Sequence, residues 1–147
     1  MKTGVDCTAL VAAAADAVIV ADAAGRITLW NAAAERIFGH TEDEALGQSL
    51  DIITPERFRQ RHWDGYAKTM ETGVTKYGTT LLKVPAVHKD GHSLSIAFTV
   101  ALIFTADRKV DAIIAIVRDE TTRFAEEREL RKRIVELETQ LGAARPG

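Results

Sequence analysis

The stretch SLSIAFTVALIF, residues 93–104, constrains the fold more than any other. Leu94, Ile96, Phe98, Val100, Leu102 and Phe104 recur at every second position. A period of two places them on one face of an extended strand; the face of a helix repeats every three to four residues. A strand this long must bury that face against another layer and pair its edges. The turn sequences Lys89-Asp90-Gly91 and TADRK (105–109) flank it. Connections this short join antiparallel neighbours. The neighbour before is TTLLKVPAVHK (79–89), in which Pro85 calls for a sheet edge or a bulge. The neighbour after is VDAIIAIV (110–117), with Ile114 and Ile116 on one face and Ile113 and Val117 on the other. Apolar residues on both faces predict a strand covered on both sides, by the N-terminal helix or by another subunit. Near the start, AVIVAD (17–22) and RITLWN (26–31) read as a hairpin around Gly25, with Ile27 and Leu29 on one side.

Helix signals lie between and around these strands. Residues 5–15 are alanine-rich. Asn31 is an N-cap for AAAERIF and Gly39 its stop, and Thr41 with Glu44 forms a capping box. Thr54 and Pro55 open a longer helix, as cap and first residue, which Gly73 closes. Along it Phe58, His62, Tyr66 and Met70 recur every four residues and share a face. From Glu120 the chain turns charged, and Leu130, Ile134, Leu137 and Leu141 are spaced four, three and four, a heptad seam. That seam fits a parallel coiled coil or a helix packed back on its own domain.

The 46 % apolar and 27 % charged residues describe an ordinary globular chain, and 147 residues suffice for one domain with a core. A net charge of −2 gives no footprint for nucleic acid or an anionic membrane surface. No apolar run reaches the roughly 20 residues of a membrane helix, and the start lacks signal-peptide character. The single Cys7 excludes an internal disulfide and a CxxC site. The expectation is a soluble cytoplasmic protein. No nucleophile elbow, phosphate-binding glycine loop or HExxH is present, so a non-enzymatic role is expected.

The segments AVIVADAAGRITLWNAAAERIFG, TEDEALG, TPERFRQRH, METG, KDG and RDET, in this order, resemble a PAS domain with a C-terminal signal helix, as in bacterial sensory proteins. The likeness covers about residues 8–121. It implies an α+β fold: a five-stranded antiparallel sheet with helices over one face, an N-terminal helix and a C-terminal coiled-coil helix. The division it suggests is an N-terminal cap (1–15), a PAS core (16–119), a signal helix (120–143) and a frayed tail (144–147). The resemblance also implies a small-ligand site between the sheet and the helix at 55–72. The expected lining is Val18, Val20, Leu29, Ile37, Phe58, His62, Tyr66, Leu82, Ile96, Phe98, Val100 and Ile114. Asp119 and Thr121 match the family's junction motif, which couples core to signal helix; Glu120 stands where the family has an aliphatic residue.

His62, counted back from Thr72-Gly73, matches the histidine that holds haem iron in haem-containing PAS oxygen sensors. Leu82 stands where those sensors place a distal arginine. Two readings of His62 therefore stay open: axial ligand of haem b, or a core histidine. Covalent flavin chemistry is not expected, because GQSLDIITPE (47–56) has no cysteine and Cys7 lies at the wrong end. Trp63 is read as core packing. His88 and His92 flank the KDG turn and, with His40, are read as solvated histidines rather than a metal cluster. The chain ends where an effector would begin, so it reads either as a stand-alone module or as a piece of a longer protein.

Three roles follow. The first is a sensory module with an unknown ligand, which forms a homodimer and signals through its C-terminal helix to a separate effector, with neither nucleic acid nor membrane as partner. The second is a haem-based gas sensor. The third is a ligand-free dimerisation scaffold whose core Phe58, Trp63, Tyr66 and Phe98 fill.

Overall fold

In a computed structural model the described residues are 4–75 and 78–144. The hairpin and the meander meet in one five-stranded antiparallel sheet. Strands β1 (Ala17–Asp22), β2 (Ile27–Trp30), β3 (Leu82–Val87), β4 (Ser93–Phe104) and β5 (Val110–Asp119) are ordered β2-β1-β5-β4-β3. β3 is an edge strand, which lets Pro85 sit opposite Ser95 in the ladder. Helices α1 (Cys7–Ala13), α2 (Ala32–Phe38), α3 (Glu42–Ala45), α4 (Arg59–Thr72) and α5 (Thr121–Ala144) complete the fold.

Antiparallel register assigns the faces. Ala17, Ile19 and Ala21 pair with Val117, Ala115 and Ile113, and Phe98, Val100 and Leu102 pair with the same three β5 residues. These form the inner face. Ala17 and Ile19 pack there with Trp30 and with Ala33, Ala34 and Phe38 of α2. The small residues of β1 and α2 let the helix approach the sheet closely. A second apolar cluster joins Tyr66, Trp63 and Met70 to Val110, Ile113, Val100 and Leu102.

Several local expectations change. Ile27 and Leu29 do not share a face: Leu29 pairs with Val20 but Ile27 with Ala21, so the extra residue Thr28 makes a bulge. The Thr54 hydroxyl donates to the Leu50 carbonyl at 2.9 Å instead of capping a helix. Pro55 accordingly precedes a 3-10 turn, Glu56–Phe58, and α4 begins only at Arg59. The helix at the C-terminus runs on to Ala144, so Ala144 is helical rather than frayed, and 145–147 lie outside the described residues.

The other cap signals act as expected. Gly39 and Gly73 end α2 and α4 at φ 83° and 66°, left-handed values that suit glycine. Thr41 and Glu44 form the reciprocal capping box. Hydrogen bonds from Lys89 and from the Thr41 amide hold the Glu44 carboxyl down to about 2.

Candidate ligand-binding site

The face of the sheet covered by α4 carries the candidate site. His62, Trp63 and Tyr66 form an aromatic triad with ring centroids 4.8, 5.8 and 5.2 Å apart. Trp63 is held at both ends. Its Nε1–H donates to Asp51 Oδ1 at 2.7 Å, and its ring lies against the Gly25 turn, where a Cβ would come within 2.2 Å of Cη2. Gly25, at φ 82°, is thus required for its backbone and for the room it leaves. The Tyr66 hydroxyl donates to the Asp22 carbonyl. Burial, with the Asp22 charge, pushes the Tyr66 phenol up to about 12.

His62 differs from its neighbours. Among the described residues, two buried side-chain nitrogens have no hydrogen-bond partner, His62 Nδ1 and His40 Nε2. Burial lowers the His62 pKa, partly offset by the Asp51 charge, so the imidazole is neutral at pH 7. A cleft of about 600 Å3 runs along the outer side of the triad, between Ala23-Ala24 and Trp63, Tyr66, Ala67, Met70 and Glu71. A second cleft, of about 630 Å3, opens between Pro55–Arg57 and the β3–β4 end of the sheet.

The structure divides the expected lining. Tyr66 and Val100 meet in the second cluster, and Ile37, Ile96 and Phe98 belong to the first or pack against it. Leu82, half-buried, pairs with Phe98. Phe58 precedes α4 and lies under the Arg57 guanidinium, 4.8 Å from its ring centre. Val18, Val20, Leu29 and Ile114 do not belong to this site. Val20 pairs with both Leu29 and Ile114, and Val18 with Ile116, on the opposite face of the sheet. Alternation along β1 sends the valines outward and Ala17, Ile19 and Ala21 inward.

That outer face is open. Ile103 and Ile116 are 41 % and 40 % exposed on it. α1 does not cover it: α1 sits beside α2, where the Asn31 amide donates to the Val11 carbonyl at 2.9 Å.

The junction to α5 is built from backbone groups, the Asp119 carboxylate and the Thr121 hydroxyl. Asp119 accepts the Thr121 amide at 2.9 Å and the Thr121 hydroxyl, which in turn accepts the Ser95 amide at 3.1 Å. Glu120 contributes its backbone: its amide donates to the Ser95 carbonyl at 2.8 Å, and its carbonyl accepts the Phe124 amide at 2.8 Å. That is why a residue outside the family pattern is tolerated there. Beyond it α5 leaves the core, and Leu130, Ile134, Leu137 and Leu141 are all exposed. The alternative of a helix folded back on its own domain is therefore overturned.

The reading of His88 and His92 as solvated residues holds for His92, which is exposed, but not for His88. Their rings stack at 4.4 Å, and His88 is half-buried. The sequence signal was present: three residues separate them across a turn, and a hairpin brings such positions face to face.

No described helix is long and apolar enough to cross a membrane. The PAS fold family matches residues 6–120. Sensor protein FixL of Bradyrhizobium diazoefficiens is 46 % identical over 65 residues, 44 % of this chain and 11 % of FixL. Oxygen sensor protein DosP of Escherichia coli is 25 % identical over 109 residues, 74 % of this chain and 13 % of DosP. The chain spans 11 to 16 % of the length of the curated relatives it matches. A PAS domain from Colwellia psychrerythraea superposes with a TM-score of 0.69 at 22 % identity, covering 79 % of this chain and 95 % of that one. Sheet order, junction motif and the match over most of the chain agree: the chain belongs to the PAS family.

Proposed function

We propose that the chain is a non-enzymatic sensory and dimerisation module of bacterial signal transduction. Residues 16–119 sense a small ligand and residues 120–143 relay its binding to a separate effector. The observation that carries this reading is α5. A 24-residue helix leaves the core with an apolar seam that nothing among the described residues covers. A seam of barely two heptads is marginal alone and needs a second contact. The open outer face of the sheet, with Ile103 and Ile116, supplies one between two copies. The ligand is placed beside Trp63 and Tyr66, because their anchors, Asp22, Gly25 and Asp51, lie in the segments that α4 packs against. A ligand that shifts these rings shifts α4 against β4 and β5, and β5 leads into Asp119 and α5. The signal is then the ligand's differential affinity for two helix arrangements.

Light-scattering chromatography of the full chain tests it. The wild type is expected to be a dimer, and the double variant Leu130→Glu, Leu137→Glu a monomer with unchanged circular dichroism per folded core. A monomeric wild type at high micromolar concentration defeats the dimer reading. Mass spectrometry of an extract of the denatured protein identifies a retained ligand.

A second reading, a haem-based gas sensor with His62 as axial ligand, is favoured by the neutral imidazole with its unpartnered nitrogen and by the likeness to an oxygen sensor. The donor suits iron, but the packing does not suit the macrocycle. Trp63 and Tyr66 fill the space against Val100, Leu102 and Ile113, so haem enters only if they are displaced. A Soret band lost in His62→Ala supports this reading; a protein that stays colourless after haem titration removes it.

A further inference from the structure

The β3–β4 turn gathers a donor set that sensing through α4 does not use. The His88 amide donates to the His92 carbonyl at 2.9 Å and the Gly91 amide to the His88 carbonyl at 2.9 Å. This closes the turn and stacks the two imidazoles at 4.4 Å and 21°. Between them stands Asp90. Its Oδ1 lies 3.2 Å from His88 Nδ1, touches His92 Nδ1, and accepts the His92 amide at 2.9 Å. The Asp90 amide donates to His88 Nδ1 at 3.1 Å, so that nitrogen is unprotonated, and an ion bound there takes its lone pair from the amide. One potential ligand atom from each of the three side chains lies within 4.8 Å of the other two.

The turn is also held from outside. The His88 ring covers the left-handed cap of α2, where a Cβ on Gly39 would come within 2.4 Å of its Cε1. The Lys89 amide donates to the Phe38 carbonyl at 2.8 Å, and the Lys89 ammonium pairs with Glu44. The set therefore rests on helices α2 and α3, not on a free loop.

From this geometry we infer that His88, Asp90 and His92 bind one divalent ion of the zinc class. Two imidazoles and one carboxylate are the donors that borderline ions such as Zn2+ prefer; Mg2+ and Ca2+ take all-oxygen sets. Donors around a tetrahedral ion stand about 3.3 Å apart, so small rotations of exposed Asp90 and His92 close the set around it. Both are open to solvent, which leaves the fourth position for water or for a donor from another molecule.

Calorimetric titration of the full chain with zinc chloride in a non-chelating buffer tests this. One ion per chain is expected. His92→Gln and Asp90→Asn should each weaken binding by at least about tenfold, the loss typical of disturbed metal sites. The side-chain carbonyl of the Asp90→Asn variant still accepts the His92 amide, so that variant keeps the turn if His92→Gln does not. Cys7→Ser should leave binding unchanged, because Cys7 is exposed on α1, apart from the turn. No saturable binding, or binding untouched by both turn variants, overturns the inference and leaves a turn held by its own hydrogen bonds.

Discussion

Asn31 and His62 both present polar atoms to the apolar interior, and the two are treated in opposite ways. The Asn31 side chain makes four hydrogen bonds. Its oxygen accepts the Val18 and Ala34 amides at 2.9 and 3.1 Å, and its nitrogen donates to the Val11 and Asp16 carbonyls at 2.9 and 3.2 Å. That is the full capacity of an amide. It ties α1, β1 and α2 at one point. His62, on α4, has a buried nitrogen with no partner and lies against the Trp63 and Tyr66 rings. A saturated buried network fixes one arrangement, whereas an orphaned polar atom leaves room for another. Asn31 thus makes the start of α2 a fixed frame, and α4 is the part that the proposed ligand would rearrange; His40, just past the end of α2, carries the other orphaned nitrogen.

The largest expected effect falls on the frame. Asn31→Ala removes a helix cap and strands four backbone groups, at a cost of about 3 kcal/mol in urea unfolding. A loss below about 1 kcal/mol would mean that water replaces the side chain easily and that α1 is not part of the frame.

Under α4 the comparison sharpens on Trp63 and Gly25. Trp63→Ala should cost about 2 kcal/mol, less than for a sealed tryptophan because the ring borders the cleft. Gly25→Ala should cost about 2 kcal/mol, from its left-handed φ and from contact with the indole. In the Trp63→Ala background only the backbone share remains, so the double variant should be more stable than the sum predicts. Additive costs would show that Trp63 already moves freely off the turn.

Much of this was legible in the residues. The alternation in β4 and the turns around it dictate the antiparallel meander, and Asn31, Gly39, Thr41 and Gly73 cap as their types require. The face of β1 was not legible. Its inner residues are Ala17, Ile19 and Ala21 and its outer ones are Val18 and Val20, so two of the three inner side chains are smaller than those that point away from the helices. Hydrophobicity alone therefore picks the wrong parity. Only the close approach of α2, through Ala33 and Ala34, explains why small residues face inward. Thr28 added to the error, because a single bulge turns Leu29 outward without a glycine or proline to announce it. The start of α4 escaped the capping rule for a similar reason: the Thr54 hydroxyl turns back to donate to the Leu50 carbonyl, an alternative that the rule does not weigh.

The smallest effect, and the most specific, concerns the proton on His62. Burial depresses its pKa in the folded state below the ordinary value near 6.5, while the unfolded chain keeps that value. The unfolded state therefore binds the proton first as pH falls. Stability is full above about 6.5 and is lost as pH drops from there through the lower folded value. The Glu44 carboxyl acts in a separate window: held down to about 2, its contribution is present above about 4.5 and is lost as pH falls below that. His62→Leu replaces the orphaned nitrogen by an apolar group of similar size, so at pH 8 the change should stay within about 1 kcal/mol of zero. Between about pH 6.5 and 5 the variant should lose less stability than the wild type, read as urea midpoints along a pH series. Parallel curves would place the imidazole in solvent, and the α4 end would then be as well satisfied as the Asn31 end.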